Sequence, residues 1–219
     1  MTPILSESQR RLLDLLSGEK FIANTFYFGG GTVLAEYYLH HRLSEDLDFF
    51  SADEVDPEAI TALFKKIESP AGITGIRFEQ SFNRNLFFLE IGDETIKTEF
   101  TYFPFERIDV AERRENLAID SLIDIAVNKL FTIFQKPRSR DFIDLYCIMQ
   151  KEGWTIADLS RKAQVKFDTY IDPLQLGGQF MRVEELRDYP RMLVPLEPKT
   201  WQEFFIAEAK NLRPEVLGG

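Results

Sequence analysis

The sequence predicts an α/β (α+β) protein, a core with a mixed sheet followed by a mostly α-helical C-terminal part. Three observations lead there. Short apolar runs on a two-residue period recur between residues 26 and 103. A glycine run, Gly29-Gly30-Gly31, stands between the first of those runs and a helical stretch. Past Arg107 the apolar spacing becomes helical. The boundary is expected near residues 107–118, giving an α/β domain over 1–112 and a mostly helical domain over 113–219 that completes the active-site cleft.

Leu5, Leu12, Leu13 and Leu16 share a helical face, so 4–16 reads as a helix. Phe26-Tyr27-Phe28 reads as a short buried strand ending at the glycines, 32–39 as a helix and 47–50 as a strand. Pro57 suits the first turn of a helix over 57–67. Strands are expected at 76–80, 85–91 and 95–103, with turns at 81–84 and Gly92-Asp93. A helix over 122–134, capped by Asp120 or Ser121, is broken at Lys136-Pro137-Arg138. Another, over 141–151, is closed by Gly153. Short helical pieces between prolines and Gly177-Gly178 make up the rest.

Hydrophobic residues make up 44% of the chain and Phe occurs 20 times, enough for a packed core. No apolar run is long enough to span a bilayer. MTPILSESQRRLLDLL lacks a basic start followed by an apolar block, so no signal peptide is read there. One cysteine, Cys147, excludes an internal disulfide framework and fits a reducing cytoplasm. With only His40 and His41 beside it, little is left for a zinc site. The formal net charge of -10 gives no overall attraction for nucleic acid. Such contact needs a local patch, for which Arg113-Arg114 and Lys136, Arg138 and Arg140 are the candidates.

The glycine run offers backbone amides that can approach a phosphate closely, with the helix start behind them and the Thr32 hydroxyl as a further donor. No Gly-Lys-Ser/Thr follows, so it is not a Walker loop, and the third glycine of a dinucleotide fingerprint is missing. Its plain alternative is a tight turn. Asp46 and Asp48 on the next strand point the same way, with Cα atoms about 6–7 Å apart, while Leu47 and Phe49 face the core. Side-by-side carboxylates repel, and a divalent cation such as Mg²⁺ relieves both repulsion and burial cost. Two solvated acids at a strand mouth are the alternative. Glu99, on one face with Lys97 and Thr101, completes a carboxylate triad if its strand lies beside 46–50. An ion pair involving Lys97 is the alternative there.

Lys129 lies in an apolar helical stretch, either snorkelling at its edge or aimed into a pocket. In Arg140-Asp141-Phe142-Ile143-Asp144-Leu145-Tyr146 the two aspartates share a helix face at i and i+3. An Asp144–Lys129 or Asp141–Arg138 ion pair would account for them structurally.

The order GGT, HRLSEDLDFF, an acidic strand, NKLFTI and RDFIDLY resembles the AbiEii/AbiGii-type nucleotidyltransferases over about residues 24–150, and more loosely beyond. These belong to the polymerase-β-like nucleotidyltransferase superfamily and include toxins of bacterial toxin–antitoxin and phage-defence systems. The resemblance implies a nucleotidyltransferase core in which Gly30, Gly31 and Thr32 form the first motif. Asp46 and Asp48 form the second, with Arg42 and Ser44 as its lead-in. It implies that Lys129 contacts the triphosphate, and that Asp141 or Asp144 orients that lysine or acts near the acceptor. Glu99, where the third carboxylate would be Asp, departs from the pattern.

The expected activity is Mg²⁺- (or Mn²⁺-) dependent transfer of a nucleoside monophosphate from an NTP to a hydroxyl. The resemblance implies a tRNA 3′ end or a protein as acceptor and an antitoxin as partner; no membrane is expected. A non-catalytic nucleotide- or protein-binding module on the same fold is the second reading. A haloacid dehalogenase-type phosphatase fits poorly, because His40-His41-Arg42 and Ser44-Glu45 stand where an apolar strand should lead into the first aspartate.

Overall fold

The computed structural model describes residues 3–110, 112–114 and 116–212. The chain divides into two compact units. One comprises Met1–Glu106 and Val110–Ser121, the other Arg107–Asp109 and Leu122–Gly219.

The first unit carries a seven-stranded mixed sheet. Its strands are β1 (Tyr27–Gly29), β2 (Asp46–Ser51), β3 (Ile73–Ser81), β4 (Arg84–Ile91), β5 (Glu94–Tyr102), β6 (Arg113–Arg114) and β7 (Leu117–Ile119), in the order β3-β4-β5-β2-β1-β7-β6. The β2–β5 and β1–β7 pairs are parallel and the others antiparallel. Strand alternation divides the side chains between faces. Leu47, Phe49, Phe28, Phe87 and Phe100 turn inward and are fully buried. Phe49 stacks on Phe100 with centroids 4.9 Å apart. Phe64 of helix α4 (Pro57–Lys66) meets Phe87 and Phe100 from above. This aromatic layer fixes the register, since a one-residue slip would bring every acid of β2 into the core.

Helix α1 (Glu7–Ser17) begins at Ser6 in a capping box with Gln9. The Gln9 amide also donates to the Glu45 carbonyl at 2.7 Å, tying the helix to the entry of β2. Two short helices, α2 (Lys20–Thr25) and α5 (Glu68–Ala71), were not anticipated. The helix expected over 32–39 starts earlier, as α3 (Gly30–Val33), and widens into a π-helical turn over Leu34–Leu39. It is closed by His40 in the left-handed region, φ 52°, whose amide reaches back five residues to Ala35.

The second unit is helical: α6 (Leu122–Gln135), α7 (Ser139–Glu152), α8 (Ile156–Phe167), α9 (Pro173–Met181) and α10 (Pro198–Asn211). Phe142, Phe180, Trp201 and Phe205 make its centre, with Phe142 and Phe205 4.7 Å apart. Gly153 closes α7 at φ 72°. Asp124 is fully buried and pairs with Lys166 at 2.7 Å. It also accepts the amides of Ile108 and Asp109 at 2.8 and 3.2 Å. That carboxylate explains why Arg107–Asp109 belongs to the helical unit although the chain returns to the sheet afterwards.

Candidate functional site

On β2 the residues alternate between half-buried and buried, so Asp46, Asp48 and Phe50 share the face opposite the aromatic layer. Gly29 is the register partner of Asp48, which brings the glycine turn onto this face. Gly30 has φ 72°, and a Cβ there would lie 2.6 Å from Asp48 Oδ2. Only glycine lets the turn lie against that carboxylate without strain. A Cβ on Gly31 would lie 2.5 Å from Arg42 Nη2. Arg42 is buried there, and its Nη1 donates to the Leu43 carbonyl at 2.9 Å.

Thr32 is fully buried, its hydroxyl donating to the Asp46 carbonyl and lying 2.8 Å from Ser44 Oγ. It fastens the glycine turn to the head of β2. Ser44 shares that fastening.

Glu99 lies beside Asp48 in the parallel β2–β5 register, and Lys97 beside Asp46. The backbones therefore bring the three acidic positions together. The carboxylates of Asp46 and Glu99 are engaged by cations. Lys97 Nζ is 2.8 Å from Asp46 Oδ2 and 3.5 Å from Glu99 Oε2. Arg84 grips Glu99 with two parallel bonds, Nε to Oε1 at 2.5 Å and Nη2 to Oε2 at 2.6 Å. Thr101 Oγ1 donates to Glu99 Oε1 at 2.9 Å. Burial pushes the Glu99 carboxyl up, but Arg84, Lys97 and the Thr101 hydroxyl outweigh it and hold it below the usual carboxylate range. Among the described residues no three acid, histidine or cysteine side chains are gathered to hold a metal ion. Asp46 and Asp48, hard oxygen donors beside the glycine turn, are a donor set suited to Mg²⁺ or Mn²⁺, while Glu99, the third expected ligand, is paired with Arg84.

The second predicted cluster lies in the helical unit. Lys129 of α6 places Nζ 2.7 Å from Asp141 Oδ1 and 2.7 Å from Asp144 Oδ2, both on α7. Arg138 Nε adds a bond of 2.8 Å to Asp141 Oδ2. Both ion pairs considered from the sequence therefore form. The two aspartates are essentially sealed, while the Lys129 side chain keeps 11% exposure. Burial pushes the Asp141 carboxyl up, but the charges of Lys129 and Arg138 bring it below its ordinary value, against opposition from Asp144.

Two residues were not singled out from the sequence as site members. In the sequence Arg84 belongs only to a turn and Lys97 only to an ion-pair alternative; both lie on the acidic face. The hairpin register would have found Arg84, since it stands opposite Thr101. The expected basic patches are partly spent: Arg114 pairs with Glu112 and Arg138 with Asp141. A cavity of about 190 Å³, lined by Arg10, Leu13, Phe28, Tyr37 and Ile119 among others, lies on the packed side of the sheet. Among the described residues no helix is long and apolar enough to cross a membrane.

Comparison with known proteins agrees with this layout. The family described as nucleotidyl transferase AbiEii toxin, Type IV TA system, matches residues 14–208. An uncharacterised protein of Aquifex aeolicus (strain VF5) is 31% identical over 196 residues, covering 87% of this chain and 89% of that protein. A crystal structure assigned as a nucleotidyltransferase from H. pylori superposes with a TM-score of 0.61 at 18% identity, covering 98% of each chain. JHP933 from Helicobacter pylori gives 0.59 at 18%, covering 98% of this chain and 95% of that one. At such identities the two structures establish the shared fold. The family match extends over most of the chain and takes in both the glycine–aspartate face and the Lys129 cluster, so the protein belongs to the AbiEii nucleotidyltransferase toxin family.

Proposed function

We propose that the protein transfers a nucleoside monophosphate from an NTP to a hydroxyl acceptor, with release of pyrophosphate. The observation that carries this reading is the contact between the glycine turn and Asp48, which brings the backbone of the turn beside two half-buried carboxylates on one sheet face. The backbone at Gly30 and Gly31 receives the phosphates, and the buried Arg42 guanidinium behind Gly31 adds positive charge. Thr32 and Ser44 hold this turn in register. Asp46 and Asp48 hold Mg²⁺ or Mn²⁺, which supplies charge neutralisation on phosphate oxygens and a more acidic acceptor hydroxyl when bound. Lys129 contacts the triphosphate, and Asp141 and Asp144 orient its ammonium. A tRNA 3′ end or a protein side chain provides the hydroxyl, and an antitoxin restrains the activity.

The test uses each radiolabelled NTP with total cell RNA. Asp48→Asn, nearly equal in shape, is expected to abolish labelling while the thermal midpoint stays within a few degrees. Labelling retained by this variant would remove Asp48 from the chemistry. A second reading, a non-catalytic nucleotide- or protein-binding module, has its own observation: Arg84 and Lys97 pair with Glu99 and Asp46 on the acidic face. NTP binding without pyrophosphate release would select it.

A further inference from the structure

The sheet order sets a direction across the acidic face. The glycine turn follows β1, on one side of Asp48; β5 and then β4 lie on the other. In a displacement at phosphorus the attacking and leaving oxygens stand roughly in line, on opposite sides of the reacting centre. With the triphosphate on the glycine side, the acceptor enters from the side of β5 and β4. Arg84 occupies that side.

Arg84 has the form of an oriented anion contact. Nε and one Nη2 hydrogen are given to Glu99, which Thr101 steadies in turn. No other hydrogen bond engages the guanidinium among the described residues. Its side chain keeps 50% exposure while Glu99 keeps 8%. A carboxylate that grips the inner edge of a guanidinium presents the outer edge to a ligand, and the planar fork matches phosphate oxygens.

A second observation lies two residues away. Phe82, at the tip of the two-residue turn between β3 and β4, is 99% exposed with φ 52°. Hairpin tips that need a positive φ at the first central position ordinarily carry glycine. A phenylalanine there gains no burial and bears the cost of the left-handed backbone. The tip is also held in place, since Asn83 Nδ2 donates to the Tyr102 carbonyl at 2.7 Å and the Tyr102 amide to the Asn83 carbonyl at 3.0 Å. A bare aromatic residue on an anchored turn, two positions from an oriented guanidinium, supplies the two elements that single-strand sites combine, a ring to stack a base and a cation to meet the backbone.

We propose that Arg84 and Phe82 form the acceptor subsite, which receives a single-stranded RNA end, and that Glu99 is the positioning residue for Arg84. The assignment rests on the transfer reading above for its direction.

The experiment measures binding of a fluorescein-labelled single-stranded oligoribonucleotide with a free 3′ hydroxyl to the full chain by anisotropy. In parallel it measures affinity for each NTP and for Mn²⁺ alone. Arg84→Met is expected to weaken oligonucleotide binding about tenfold and to reduce the salt slope by about 0.7, as loss of one phosphate contact to a single strand does. Its NTP and Mn²⁺ affinities stay within about twofold on the same grounds. Phe82→Gly weakens oligonucleotide binding by a factor on the order of ten, while its thermal midpoint is held or raised because glycine suits this backbone. Whatever effect Glu99→Gln has on oligonucleotide affinity vanishes in the Arg84→Met background, and Glu99→Gln keeps Mn²⁺ affinity whereas Asp48→Asn loses it. Unchanged oligonucleotide binding in both Arg84→Met and Phe82→Gly overturns the proposal. So does a loss of NTP affinity in Arg84→Met, which would put Arg84 on the donor side, or label passing to a protein while the wild type ignores the oligonucleotide. RNA binding that depends on Arg84 and Phe82 without pyrophosphate release keeps the subsite and removes the transfer reading.

Discussion

The two acidic clusters solve the same electrostatic problem in opposite ways. On the sheet, Asp46 and Glu99 are answered by Lys97 and Arg84, cations that are half-buried and half-exposed, respectively. In the helical unit, Asp141 and Asp144 are shut away and share one lysine. Charges open to solvent can exchange partners at small cost, whereas a sealed pair that loses one member leaves an uncompensated charge. The sheet cluster is therefore suited to exchanging a protein cation for a ligand, and the helical cluster to holding Lys129 at a fixed position.

Removing Lys129 should test that contrast most severely. Lys129→Met leaves two buried carboxylates without their shared cation and is expected to cost about 3–5 kcal/mol in urea unfolding. Lys129→Met combined with Asp144→Asn should recover part of it. A loss below about 1 kcal/mol would show that the helical cluster is as replaceable as an exposed pair.

Gly30→Ala comes next. A Cβ at φ 72° costs about 1–2 kcal/mol and presses on Asp48 Oδ2, so stability falls modestly while NTP labelling is lost. Labelling at the wild-type rate would separate the turn from the carboxylate.

Acid sharpens the comparison further. The Asp141 carboxyl is depressed in the folded protein. Its contribution is therefore complete above the unfolded aspartate value of about 3.9 and is lost as pH falls through the lower folded value. Urea unfolding between neutral pH and about pH 2 should show that decline, and Asp141→Asn should flatten it over the same window.

The smallest effect is expected at Lys97. Lys97→Met removes a half-buried partner of Asp46 and should change stability by less than about 1 kcal/mol. A loss as large as that of Lys129→Met would erase the distinction between the clusters.

Much of the fold was legible because β2, β4 and β5 alternate cleanly, and that alternation alone put Asp46 and Asp48 on one face. What stayed hidden depends on partners. β7 has three residues and is defined by pairing with β1, a distant segment with no local signal. The π turn over Leu34–Leu39 shows the same apolar content as an ordinary helix. Thr32 resembled a phosphate donor because its residue type fits; the direction of its hydroxyl follows from packing against Asp46 and Ser44. Arg84 could be placed beside Glu99 only once the hairpin register was known. Lys129, Asp141 and Asp144 were readable because each is a charge on a helix face at regular spacing.

The parallel pairing of β2 with β5 has a consequence for how the chain matures. Lys97 and Asp46 meet across a separation of 51 positions, whereas β3, β4 and β5 pair with their immediate neighbours. Local hairpins form quickly, and long closures come late because their entropy must be met first. The acidic face is thus assembled only when β5 docks on β2, so the residues that form it stay apart until the chain through Tyr102 has left the ribosome.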